Sequence, residues 1–257
     1  MSKSYCPKVF AHRGSNTLAP ENSRPAFDLA LMEGADGFET DIQLSRDFTP
    51  LLWHDDDLQR IGMPTRTIDE FFKEELELLD ISLLCSEFHR FCGILSLEDF
   101  LRHYFSRTPL LLELKDIKDD NILVIEDKIK SILDRLTEAR IPPHKVMMSS
   151  FELNLLEIVN KYTTKNFLVA NIEDKNDSET LPKLVKKMPF LQGVCLDKKL
   201  VNPEVINTAK KLKLLTLTYT CNEEKEIRSV FDSGIDIIIS DIPGQCKKIV
   251  NKLVSNN

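Results

Sequence analysis

Eight short apolar runs recur along the chain, most of them followed by a longer stretch with helical periodicity, and no other feature limits the possible folds as tightly. The runs occupy residues 9–12, 37–42, 110–114, 146–149, 167–170, 193–196, 214–218 and 235–240. Helical patterns fall at 23–33, 97–105, 122–139, 152–161, 179–187, 203–212, 223–233 and 245–253. Strand-then-helix units in series build a parallel sheet, and eight of them predict closure into a (β/α)8 TIM barrel rather than an open doubly wound sheet. Helix starts carry their own signals: Asn202 precedes Pro203 and Glu204, and Ser96 precedes Leu97, Glu98 and Asp99, so orphan amides are capped and the dipole is complemented. A chain of 257 residues is the length of one such barrel, which takes about 250, and a single domain over 1–257 is expected.

One connection breaks the rhythm. From Ile42 to Leu97 the chain passes a short hairpin at 51–54 and an acidic, leucine-rich stretch at 70–84. Long excursions inside compact domains are usually functional covers or disordered. Leu76, Leu78, Leu79, Ile81, Leu83 and Leu84 point to a cover, so residues 55–96 are expected to form a small insertion after the second strand.

Composition excludes several classes of function. A hydrophobic share of 42% is too high for a disordered chain. With 34 basic and 41 acidic side chains, the net charge of −7 offers no basic stripe for nucleic acid. No transmembrane segment is expected, because no window holds the roughly 18 uninterrupted apolar residues of a membrane span. The first ten residues lack a secretory apolar region, and the six cysteines show neither a CxxC pair nor zinc spacing. Free thiols and a cytoplasmic location are the expectation.

Glu39 and Asp41 are two apart in a strand and so share a face. Facing inward at the C-terminal end of the second strand, they would enter the mouth where barrel enzymes place their chemistry. Glu113 and Lys115 repeat the pattern after the run Leu110, Leu111, Leu112. Three converging carboxylates repel unless a cation sits between them, and oxygen ligands suit a hard ion such as Mg2+ or Ca2+. The alternative is that one or more of them pairs with a basic residue or faces solvent. His12 and Arg13 end the first strand, and His54 with Asp55 ends the hairpin. Two histidines beside a metal site can divide proton transfer, one accepting from an attacking hydroxyl and one donating to a leaving oxygen. Arg13 supplies a planar charged fork for a phosphate and Lys115 a point charge. Together these groups read as phosphodiester chemistry, whereas His89, His103 and His144 read as structural.

The stretches Ala11-His12-Arg13-Gly14, Ala19-Pro20-Glu21-Asn22-Ser23, Glu39-Thr40-Asp41-Ile42-Gln43 and His54-Asp55 closely resemble the glycerophosphodiester phosphodiesterase family. The likeness continues through Glu113-Leu114-Lys115, Ser150-Phe151, Tyr219-Thr220-Cys221-Asn222, Gly234-Ile235-Asp236 and Ser240-Asp241-Ile242-Pro243, and so covers almost the whole chain in order.

The resemblance implies a (β/α)8 barrel that hydrolyses small-molecule glycerophosphodiesters to glycerol 3-phosphate and an alcohol with a divalent cation. It assigns His12 and His54 as catalytic, Glu39, Asp41 and Glu113 as metal ligands, and Arg13 and Lys115 as phosphate contacts. Glu21 and Asn22 match a motif with either a site-shaping or a helix-entry role. Three positions depart from the family pattern: serine at 23 replaces threonine, tyrosine at 219 replaces tryptophan, and cysteine stands at 221. The smaller aromatic at 219 bears on head-group preference. The oligomeric state, the roles of the two histidines and the choice between a cyclic phosphate and direct attack by water are left open. Two rivals stand beside this reading. One is a lysophospholipase D or phosphatidylinositol-type phospholipase C, with residues 76–84, Phe88 and Phe91 lining an acyl groove instead of packing the cover. The other is a non-catalytic barrel.

Overall fold

Side chains alternate along the strands between two separate cores, and this alternation organises the molecule. The computed structural model describes residues 5–117, 121–163, 166–173 and 180–256. Its strands are β1 (Lys8–His12), β2 (Gly37–Leu44), β3 (Pro50–Leu52), β4 (Leu110–Leu114), β5 (Val146–Ser150), β6 (Phe167–Ile172), β7 (Gly193–Asp197), β8 (Leu215–Tyr219) and β9 (Ile237–Ser240). All but β3 pair in parallel in a ring, because β1 joins both β2 and β9. The helices are α1 (Arg24–Met32), α2 (Lys73–Leu76), α3 (Leu97–Tyr104), α4 (Ile122–Glu138), α5 (Leu153–Tyr162), α6 (Thr180–Lys187), α7 (Pro203–Lys211), α8 (Glu224–Ser233) and α9 (Pro243–Ser255). The molecule is a closed (β/α)8 barrel.

Inward-facing Phe10, Leu111, Val169, Cys195, Leu217, Ile237 and Ile239 fill the barrel. Their neighbours in sequence, among them Val9, Ala11, Leu110, Leu112 and Ile238, face the helices in a second, larger core. Gly37 is required at the floor, since a Cβ there would stand 2.3 Å from the Phe10 ring. Two predicted strand starts move for one reason: Ile235 and Leu214 donate their amides back to Val230 and Ala209, closing α8 and α7, so β9 and β8 begin later. The predicted caps are present, with Ser96 accepting from Asp99 and Asn202 from Val205. The helix expected from 179 begins at Thr180, and Glu179 lies outside the described residues.

β3 runs antiparallel to β2, pairing Leu52 with Ile42 and Pro50 with Leu44, and carries the chain above the barrel rim. Beyond it the expected cover is ordered around its own small core of Leu51, Trp53, Leu58, Ile61, Ile68, Leu76, Ile81, Cys92 and Ile94. Its leucine-rich stretch is only partly inward, because Leu78 and Leu83 are 76% and 68% exposed.

Candidate active site

The inward face of β2 continues upward from Gly37 to Glu39 and then Asp41, both buried. Parallel pairing aligns Asp41 with Glu113 on β4, in register with Ile42 and Leu114 just above. One oxygen each from Glu39, Asp41 and Glu113 lies within 4.8 Å of the others. Each carboxylate feels the others. Burial and the neighbouring Asp41 push Glu39 well above the usual carboxylate range, and they push Glu113 upward too. Asp41 goes the other way: burial opposes ionisation, but Arg13, Lys115, His54 and a hydrogen bond from Asn22 outweigh it and bring Asp41 down to about 2.

Both sequence alternatives for these carboxylates hold in part. They converge, and two of them also meet cations: Arg13 Nε lies 3.0 Å from Asp41 without hydrogen-bond alignment, and Lys115 Nζ lies 2.8 Å from Glu113 and 3.7 Å from Asp41. Glu39 differs, since its Oε2 is buried with no hydrogen-bond partner among the described residues. A buried unpaired carboxylate oxygen is costly, and an oxygen donor set beside it is what a hard divalent ion takes. The residues therefore fit such a cation.

Each histidine is held by a carboxylate. His12 Nδ1 lies 2.6 Å from Asp241 Oδ1, and an ionised carboxylate only accepts, so Nδ1 carries the proton and Nε2 is left as the ring's acceptor nitrogen. Nε2 stands 3.8 Å from Glu39. Asn16 donates to Asp241 Oδ1 at 2.6 Å and Asn222 to Oδ2 at 2.5 Å. Although burial pushes Asp241 up, His12 and these two amides bring it down to about 2. His54 Nδ1 lies 2.8 Å from Asp55, which Arg60 also engages. Burial raises Asp55 as well, and His54 with Arg60 overcomes it to leave Asp55 near about 2.

The turn that presents these groups is tightly specified. Arg13 (φ 56°) and Gly14 (φ 87°) are left-handed, and a Cβ on Gly14 would lie 2.6 Å from Ala26, so only glycine fits. Asn22 donates to Asp41 at 3.0 Å and accepts from Thr40 at 2.7 Å, while Ser23 caps α1, so the matched motif divides into site-shaping and helix-entry parts.

His12, Arg13, Glu39, His54, Glu113 and Lys115 line one cavity of about 290 Å3 at the C-terminal mouth. Asp41 lies behind Arg13 and Lys115. Phe151, Tyr219, Asn171 and Glu173 form part of the far wall, with the Phe151 and Tyr219 rings edge to face at 5.9 Å. None of residues 76–84, Phe88 or Phe91 lines this cavity. Outside it, His103 Nδ1 donates to the Asp99 carbonyl at 2.7 Å, and His89 is exposed.

Sequence reasoning gave no role to Asp241, which stood only within the resembling stretch Ser240-Asp241-Ile242-Pro243, nor to Asn16, Asn171 or Arg60. For Asp241 a signal existed: Ile237, Ile239 and Asp241 fall on alternate positions, so the inward face of β9 leads directly to it. Asn171, which donates to Glu113 at 3.1 Å, sits on the inward face of β6 in the same way.

Asp241→Asn tests the His12 pair. A carboxyl held below its ordinary 3.8 stabilises the fold above that pH and loses the contribution as pH falls toward about 2. The variant should therefore lose less of its stability than the wild type between pH 4 and pH 2, as followed by thermal melts. Parallel curves would remove the assignment of Asp241 as an ionised partner.

A closed parallel barrel with carboxylates, histidines and a guanidinium in its C-terminal mouth defines an enzyme of the (β/α)8 class. The model of the Glycerophosphoryl diester phosphodiesterase family matches residues 12–245, and the chain belongs to that family of phosphoric diester hydrolases. It is 27% identical to a glycerophosphodiester phosphodiesterase of Bacillus altitudinis over 94% of this chain and 97% of the relative. An Oleispira antarctica phosphodiesterase, solved in complex with the product sn-glycerol-3-phosphate, superposes with a TM-score of 0.83 at 24% identity, covering 96% of this chain and 97% of that one. A glycerophosphodiester phosphodiesterase from Agrobacterium tumefaciens gives 0.76 at 23% identity, over 94% and 99% of the two chains. No helix among the described residues is long and apolar enough to cross a membrane.

Proposed function

We propose that this chain hydrolyses glycerophosphodiesters to glycerol 3-phosphate and an alcohol, using His12 and His54 for proton transfer and a divalent cation held by Glu39, Asp41 and Glu113. The observation that carries the reading is the meeting, at one cavity, of three carboxylates, two carboxylate-held histidines, Arg13 and Lys115. A cation bound by the three carboxylates supplies Lewis-acid charge that offsets negative charge developing at the phosphoryl group.

The chain's own groups do the rest. Arg13 and Lys115 bind and orient the phosphodiester. His12, with Nδ1 engaged by Asp241, accepts at Nε2 the proton of the nucleophile that attacks phosphorus: attack by water gives glycerol 3-phosphate directly, and attack by the adjacent glycerol hydroxyl gives a cyclic phosphate that water then opens with the two histidine roles reversed. His54 lies nearer the rim, its side chain 34% exposed, and donates a proton to the alcohol oxygen as its bond to phosphorus breaks. The released alcohol leaves toward solvent. Phe151 and Tyr219 present an aromatic wall to the rest of the substrate. The chain acts as one barrel unit, with 55–96 as its cover, in the cytoplasm, where its six thiols stay reduced.

Release of glycerol 3-phosphate from a panel of glycerophosphodiesters, with Mg2+, Ca2+ or EDTA, tests the proposal. Turnover with at least one cation and none in EDTA is the expected result. No release with either metal would overturn it. Lysophosphatidylcholine belongs in the panel, and its preferential cleavage would move the assignment to a lipid substrate.

A further inference from the structure

Arg60 belongs to the cover, and yet its guanidinium reaches the groups behind both ends of the phosphate site. Its Nη2 donates to Glu21 Oε1 at 2.7 Å and its Nη1 to Glu21 Oε2 at 3.1 Å, while its Nε donates to Asp55. Glu21 in turn accepts from Arg13 Nη1 at 3.1 Å, and Asp55 holds His54 at 2.8 Å. One planar fork thus satisfies two carboxylates at once, each of which grips a different residue of the site. The two carboxylates are better shielded than the arginine: Glu21 and Asp55 are 15% and 24% exposed and Arg60 is 41%.

The position of Arg60 is set by the cover's own packing. It sits in the 3-10 turn Gln59–Ile61, between Leu58 and Ile61, both buried in the cover core, and Gly62 closes the turn in a left-handed conformation. Trp53 Nε1 donates to the Asp57 carbonyl at 3.1 Å and anchors the approach to that turn.

We infer that Arg60 is a positioning residue through which the cover fixes His54 and Arg13 relative to each other. A lysine cannot replace it, because a single ammonium lacks the fork that pairs with one carboxylate in bidentate fashion and with the other through a third nitrogen. The inference rests on the proposed roles of His54 and Arg13. It adds to them that the insertion after the second strand is part of the catalytic apparatus rather than a lid over it.

The test is steady-state kinetics on the full chain with the diester turned over fastest in the panel above, for Arg60→Met, Arg60→Lys, Asp55→Asn, Glu21→Gln, His54→Ala and the doubles Arg60→Met/Asp55→Asn and Arg60→Met/Glu21→Gln. Arg60→Met should lower kcat by roughly 10- to 100-fold through His54 and raise KM through Arg13, since misplacement by about 1 Å can cost that much. Arg60→Lys should stay closer to Arg60→Met than to wild type. On the Asp55→Asn background Arg60→Met should cost less than about threefold more in kcat, and on the Glu21→Gln background it should raise KM by less than about threefold more, because residues acting through one network do not add. A merely structural arginine would instead lower the melting temperature and multiply freely with both neighbours. Wild-type kinetics in Arg60→Met or Arg60→Lys, or full multiplicativity in both doubles, overturns the inference while an inactive His54→Ala leaves the catalytic reading standing. Full activity in both Arg60→Met and His54→Ala overturns the two together.

Discussion

His12→Ala will lower kcat by roughly 10² to 10⁴-fold while the barrel stays folded, because a positioned general base or acid is worth about that much. Its ring lines the polar mouth and belongs to neither apolar core, so its loss leaves the Phe10 layer below intact. His54→Ala should fall in the same range. The double variant should lose far less than the product of the two, since removal of either proton carrier already stalls the step that needs both. Circular dichroism and melting temperature check the fold, and release of glycerol 3-phosphate checks the rate. Near-wild-type turnover in both single variants would remove the histidine mechanism.

Glu39→Gln separates metal binding from stability. Glu39 is buried, its Oε2 has no partner among the described residues, and burial with the Asp41 charge makes its ionised form unfavourable. A neutral amide of the same shape relieves that repulsion, so in EDTA the variant should melt at or above the wild-type temperature. Activity should nevertheless fall by about 10³-fold or more, because Lewis-acid stabilisation is worth several kcal/mol. Added Mg2+ or Ca2+ should raise the melting temperature of the wild type and not of the variant, as expected when a ligand binds only one of them. If the variant retains the cation-induced shift and the activity, Glu39 is not a ligand.

Much of the site was legible before any coordinates. Glu39 and Asp41 share a face by the period of a strand, and His12-Arg13 marks a strand end, whereas the need for glycine at 14 comes from the left-handed turn packed against Ala26. The cover was legible in outline, as leucines in an acidic loop, but not in detail: Leu76 and Ile81 are inside it while Leu78 and Leu83 face solvent. A stretch without a fixed period carries no signal of which leucine turns inward.

Partners were harder to read than positions. Asp55 adjoins His54 in the chain, whereas Asp241 stands 229 residues from His12 and meets it only because β9 pairs with β1 to close the ring. Glu21 and Arg60 are 39 apart, joined through a cover whose packing no local pattern predicts. The sequence by itself determined the strand-helix rhythm, the faces of the strands and the chemical types at their ends, because those follow from backbone geometry over a few residues. Only the tertiary structure decided which charges neutralise which. Closure and register place Asp41 between Arg13 and Lys115 and leave Glu39 Oε2 without a hydrogen-bond partner among the described residues, so of two carboxylates two positions apart on one strand face, Asp41 is held ionised and Glu39 is pushed well above the usual carboxylate range.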